Sequence, residues 1–108
     1  MDEFTLDGLG QLLQPNRVQL PFDQWCYIRR VSGLEIKKLS EVEEKGDIEL
    51  MIGFQIAIFL GNEDNSLKYD YNDPEVVRKL GKTPPILSNK IIEEGSSYNE
   101  LDEDHEGN

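Results

Sequence analysis

The chain has 108 residues, with 22 acidic against 11 basic side chains and a net charge of −11. That length accommodates one domain with one modest core, and hydrophobic residues at 37% leave part of the chain without core-forming capacity. So acidic a chain does not bind DNA, RNA or anionic membranes by neutralising phosphate, which takes clustered Lys and Arg.

The first residues are ambiguous. Leu6, Leu9, Leu12 and Leu13 stand at helical spacing after a Thr5 cap, but Gly8 and Gly10 each weaken a helix by about 1 kcal/mol. Val18, Leu20 and Phe22 alternate with Gln19 and Pro21, the pattern of a short extended segment. A helix is expected from Pro21 or Phe22, with Phe22, Trp25, Cys26 and Arg29 on one face. Arg29 and Arg30 suit its last turn, and Ser32-Gly33 would end it.

Ser40-x-x-Glu43 reads as a capping box opening one short turn before Gly46. Asp47 then caps an apolar run to Leu60. Its Ile residues also permit a strand, but Asp47 as a start and Gly61 as a stop favour a helix, apolar nearly all round and therefore central. Leu67, Tyr69 and Tyr71 alternate with polar residues, as in a short strand or extended loop. Asp73-Pro74-Glu75 to Leu80-Gly81 carries every mark of a two-turn helix: Asp cap, Pro at N1, acid early, bases late, Gly after.

Thr83-Pro84-Pro85 marks the expected end of the folded part. Residues 89–108 hold seven acids and one base, Lys90, more than half of the net charge. The expected architecture is mostly α: three to four short helices around a central apolar helix over 1–86, with a short N-terminal extended segment, then a disordered acidic tail over 87–108.

Little in the sequence points to chemistry. His105 lies in the expected tail, and Cys26, the single cysteine, reads as a small buried hydrophobe. One His and one Cys make no zinc set. The window Asp64–Glu75 has the length of a calcium loop, but Lys68 and Tyr69 stand where a ligand and a Gly belong. No phosphate-cradling glycine motif occurs. No catalytic residue, metal or cofactor is expected. The apolar stretch at 50–60 is too short to span a membrane, and the acidic N-terminus lacks the apolar region of a signal peptide, so a soluble, intracellular protein is expected. What exceeds an ordinary core is the amount of apolar and aromatic surface. Phe22, Trp25, Ile28, Met51, Phe54 and Phe59 are the candidate core or partner-binding residues, with Tyr27 beside them.

The run Leu20-Pro21-Phe22-x-x-Trp25-x-x-Ile28-x-x-x-Ser32-Gly33-Leu34, then Gly46-Asp47-Ile48-Glu49-Leu50 and the apolar segment to Leu60, resembles the tail assembly chaperones of long-tailed bacteriophages. The likeness covers about residues 18–81. It implies a small helical, non-enzymatic protein in the host cytoplasm. Such a protein coats the phage tape-measure protein, keeps it soluble and helps recruit the tail-tube protein. A frameshifted longer product accompanies many members of that family. Two other roles fit the composition: an acidic DNA-mimic inhibitor, and a phage structural or adaptor protein. Self-association is left open.

Overall fold

A computed structural model describes residues 3–101. About half of the chain is helical, and a small sheet accompanies the helices. The order is α1 (Leu9–Leu12), β1 (Asn16–Gln19), β2 (Trp25–Ile28), α2 (Gly33–Glu44), α3 (Ile48–Phe59), β3 (Leu60–Gly61), α4 (Pro74–Leu80) and α5 (Pro85–Tyr98). The sheet is antiparallel, in the order β1-β2-β3.

The central helix forms as its caps dictate. The Asp47 carboxylate accepts the Leu50 N–H at 3.0 Å, and Gly53, Phe54 and Ile56 to Phe59 are buried. The helix does not run on to Gly61. At Leu60 the backbone turns extended and enters the sheet, where Leu60 and Gly61 pair with Ile28 and Tyr27. The buried end of the apolar run, Ile56 to Gly61, thus serves first as helix and then as strand.

The expected helix over residues 21–32 is instead a hairpin strand and the start of a later helix. Side chains in β2 alternate rather than following a helical face: Cys26 and Ile28 point into the core, Trp25 and Tyr27 outward. β1 supplies the second strand, and Val18 packs inward beside Leu20. Pro21 opens the connecting turn. Phe22 (φ 64°) and Asp23 (φ 57°) both adopt the left-handed conformation, the backbone that a two-residue hairpin turn demands. Such turns ordinarily carry Asn-Gly, which is absent here, so a residue pattern that also satisfies helical spacing hid the hairpin.

Ser32-Gly33 opens a helix instead of closing one. The Ser32 hydroxyl accepts the Glu35 N–H at 3.2 Å, and the Glu35 carboxylate accepts the Ser32 N–H at 2.9 Å. The capping box is therefore Ser32-x-x-Glu35, and Ser40 lies inside α2, where its hydroxyl donates to the Ile36 carbonyl. The two-turn helix α4 matches its expected cap, with Asp73 accepting the Glu75 N–H at 3.0 Å and Pro74 leading.

The largest correction is at the C-terminal side. The Pro84-Pro85 step begins α5 rather than ending the fold, since Pro suits the first helical position. Residues 87–101, expected in a disordered tail, are thus helical through Tyr98 and packed on the core. Ile91 is buried, and Gly95 lies against the face of Phe59. The remainder of the expected tail, 102–108, lies outside the described residues.

Two close contacts fix the helix layer. A Cβ at Gly53 would overlap the Val77 carbonyl on α4, and one at Gly95 would overlap the Phe59 ring. Between the layers sits a buried ion pair. The Arg29 guanidinium meets both Glu35 oxygens at 3.2 and 3.3 Å, and also donates to the carbonyls of Ile58 (2.7 Å) and Asn65 (3.0 Å). Burial pushes the Glu35 carboxyl up. The Ser32 amide and the Arg29 guanidinium more than reverse this, so it lies below its ordinary value.

Gly95→Ala is expected to destabilise the domain by about 1–3 kcal/mol, read as a lower urea midpoint, because the Phe59 ring must yield. Glu35→Gln leaves a buried guanidinium without its counter-charge and is expected to cost about 3 kcal/mol. Because the Glu35 pKa is depressed in the folded state, its contribution is full above its ordinary value of 4.5 and is lost as pH falls through the lower folded value. Urea midpoints measured across that acidic range should fall for the native chain and show a shallower decline for the variant.

Candidate protein-binding surface

The sheet has one dry face and one wet face. Val18, Leu20, Cys26, Ile28 and Leu60 fill the dry side. On the other side, Arg17 and Gln19 from β1 stand beside Trp25 and Tyr27 from β2, because residues two apart in a strand share a face. The Trp25 and Tyr27 rings meet edge to face, with centroids 5.2 Å apart and planes at 89°. The Arg17 guanidinium lies 4.3 Å from the Trp25 ring centre, a cation–π contact that fixes the indole while leaving it 49% exposed. Phe22, at the hairpin tip, is 67% exposed. Beside the aromatic pair a cleft of about 320 Å³ is lined by Gly61, Asn62, Glu63 and Lys68.

Of the six candidate residues, these two reach the surface: Trp25 and Phe22. Ile28 and Phe59 are wholly enclosed and Phe54 nearly so, its ring 5.2 Å from Tyr71. Met51 is half-buried against the core. The second half of α3 is covered by α2, α4 and α5, while Ile48 at its start stays exposed; the exposed aromatic pair belongs to the hairpin. Sequence reasoning missed Arg17. Its signal was the alternation Arg17-Val18-Gln19, in phase with Trp25-Cys26-Tyr27 once both are strands.

The chemistry elsewhere is structural. The Cys26 thiol is buried, which pushes its pKa to about 11 and keeps it protonated at neutral pH. Arg78 bridges Asp47 (3.0 Å) and Glu49 (3.2 Å), and Lys82 reaches Glu49 at 3.0 Å, tying the start of α3 to α4. Hydrogen bonds to the Leu50 amide and Arg78 lower the Asp47 pKa, and those to Lys82 and Arg78 lower that of Glu49. In the Asp64–Glu75 window, Asp64 accepts from the Ser66 amide, Asp73 caps α4 and Glu75 pairs with Lys79. No group of three potential metal ligands gathers among the described residues. His105 lies outside them. Among the described residues no helix is long and apolar enough to cross a membrane. In comparisons with known proteins, the chain matches no family, no curated protein and no solved structure.

Phe22 carries a steric cost of about 1–2 kcal/mol for its left-handed backbone, and Asp23, whose short polar side chain tolerates that region, carries less. The double variant Phe22→Asn with Asp23→Gly is expected to raise stability by about 1 kcal/mol in urea unfolding, with an unchanged circular dichroism spectrum.

Proposed function

We propose that the chain is a non-enzymatic protein-binding domain, a phage tail assembly chaperone that holds the tape-measure protein in soluble form in the host cytoplasm until tail-tube subunits are recruited. The observation that carries the protein-binding part is the hairpin face. The outer hairpin face leaves Trp25 and Phe22 in solvent, with Tyr27 and Arg17 beside Trp25, and aromatic anchors of this kind contribute most to interface energy. The Asp47-capped apolar helix that follows Gly46 supports the chaperone part, while residues 20–34 form a hairpin strand and a helix start in place of the opening helix the resemblance implies. The contact surface in this reading is the outer sheet face rather than a groove on α3. A tape-measure segment is a long amphipathic helix whose apolar stripe would lie across Trp25, Tyr27 and Phe22. Carboxylates on either side of that stripe would meet Arg17 and Lys68.

Co-expression with the tape-measure protein of the same genome tests this. The native chain should move most of the partner into the soluble fraction. Trp25→Ala with Phe22→Ser should reduce that fraction severalfold without altering the chain's own fold, because both side chains are exposed. A partner whose solubility does not respond to the native chain would overturn the reading.

A further inference from the structure

The first segment of the chain is an apolar arm with nothing covering it. Phe4 and Leu6 are 71% and 80% exposed, Leu12 is also exposed, and α1 buries no residue. Gln14, at the end of the arm, is tied to the body by the Tyr98 hydroxyl, which donates to its carbonyl at 2.6 Å. Residues 3–14 carry Glu3 and Asp7 and no basic side chain. The arm's two carboxylates favour a site with cations over the acidic remainder of a chain whose net charge is −11.

One depression on the body has the opposite character. Between α2, α3 and α4 a groove of about 350 Å³ has Val42, Leu50, Phe54 and Val77 along its floor. Lys38 and Lys45 stand on its rim against one carboxylate, Glu41. The Lys38 ammonium lies 5.3 Å from the centre of the Tyr71 ring, and neither lysine forms a salt bridge among the described residues.

We propose that the arm of one copy fills the α2–α3–α4 groove of a second copy, with Phe4 and Leu6 on the apolar floor and Glu3 and Asp7 against Lys38 and Lys45. Reciprocal exchange closes a twofold dimer, since each copy carries one arm and one groove. The match is one of charge as well as of apolarity. The arm lacks cations, and the groove rim has two against one acid. The hairpin face plays no part in this contact, so the dimer stands independently of the chaperone reading.

Sedimentation equilibrium of the full 108-residue chain across the micromolar range is the test. The native chain should show a monomer–dimer equilibrium. Phe4→Ser with Leu6→Ser should leave monomer, and Lys38→Glu with Lys45→Glu should raise the dissociation constant about tenfold or more. Phe4, Leu6 and Lys45 are exposed and Lys38 is half-buried beside Tyr71, so a Lys45→Glu single variant, whose melting profile should stay native-like, separates loss of the dimer from loss of the fold. Adding Glu3→Lys and Asp7→Lys to the reversed groove should restore the dimer. Trp25→Ala with Phe22→Ser should dimerise like the native chain. A native chain that stays monomeric, including one whose arm folds onto its own groove, overturns the proposal. So does a dimer insensitive to the arm and groove variants, or one abolished by the hairpin variant.

Discussion

Five parts of this domain converge on Arg29. Its backbone N–H donates to Phe59 at the end of α3, at 2.8 Å. Its side chain reaches Ile58, Asn65 and Glu35, and its own carbonyl accepts from Asn99 at 2.9 Å. The sheet, the central helix, the α2 cap, the loop after β3 and the end of α5 therefore meet at one residue. Burying a guanidinium is costly, and the cost is offset only if every donor is matched. The match here is shared among elements distant in sequence, so the pair sets how they are placed rather than adding much net stability.

Two asparagines extend that junction along the chain. Asn65, itself left-handed at φ 70°, accepts from the Arg30 N–H and donates to its carbonyl. Asn99 accepts the Val31 N–H at 2.9 Å. The link from β2 to α2, which belongs to no regular element, thus has most of its peptide groups satisfied by side chains, with the Arg29 N–H and the Ser32 carbonyl bonded to backbone. Among the described residues no buried side-chain polar atom lacks a partner. The Arg30 guanidinium, lying over the Tyr98 ring at 3.8 Å, closes the same joint from outside.

Local signals were legible where a cap, a periodicity and a stop agreed. Asp47 with the run to Phe59, and Asp73-Pro74 with Leu80, are helices with the caps their sequence announces. The hairpin was not legible, because Phe22, Trp25, Cys26 and Arg29 fit a helical face as well as Trp25 and Tyr27 fit a strand, and Phe-Asp is no usual signature of a left-handed turn. Ser32 and Ser40 each precede a Glu by three. What distinguishes them is Arg29, only six residues before the first Glu, which meets it once residues 25–28 form a strand rather than a helix. The helix after Pro85 was masked by charge. Glu93 and Glu94 raised the acidity of a segment whose Ile91 and Gly95 face the core, and composition averages over faces. Of the candidate surface, Trp25 and Phe22 were visible as aromatics. Their exposure depended on pairing with β1, which residue types alone do not reveal.

No loop separates α3 from β3: Phe59 ends the helix and Leu60 begins the strand. Helix and sheet therefore share one stiff stretch of backbone. Gly53 holds its helical part tight against α4, and the Arg29 N–H holds the junction at Phe59. The middle strand, with Trp25 and Tyr27 on it, cannot shift without moving the central helix. The aromatic face is consequently set in advance, and little ordering entropy is lost there when something binds. In the proposed role, any adjustment of shape would fall to the partner, which favours a chain that is still pliable.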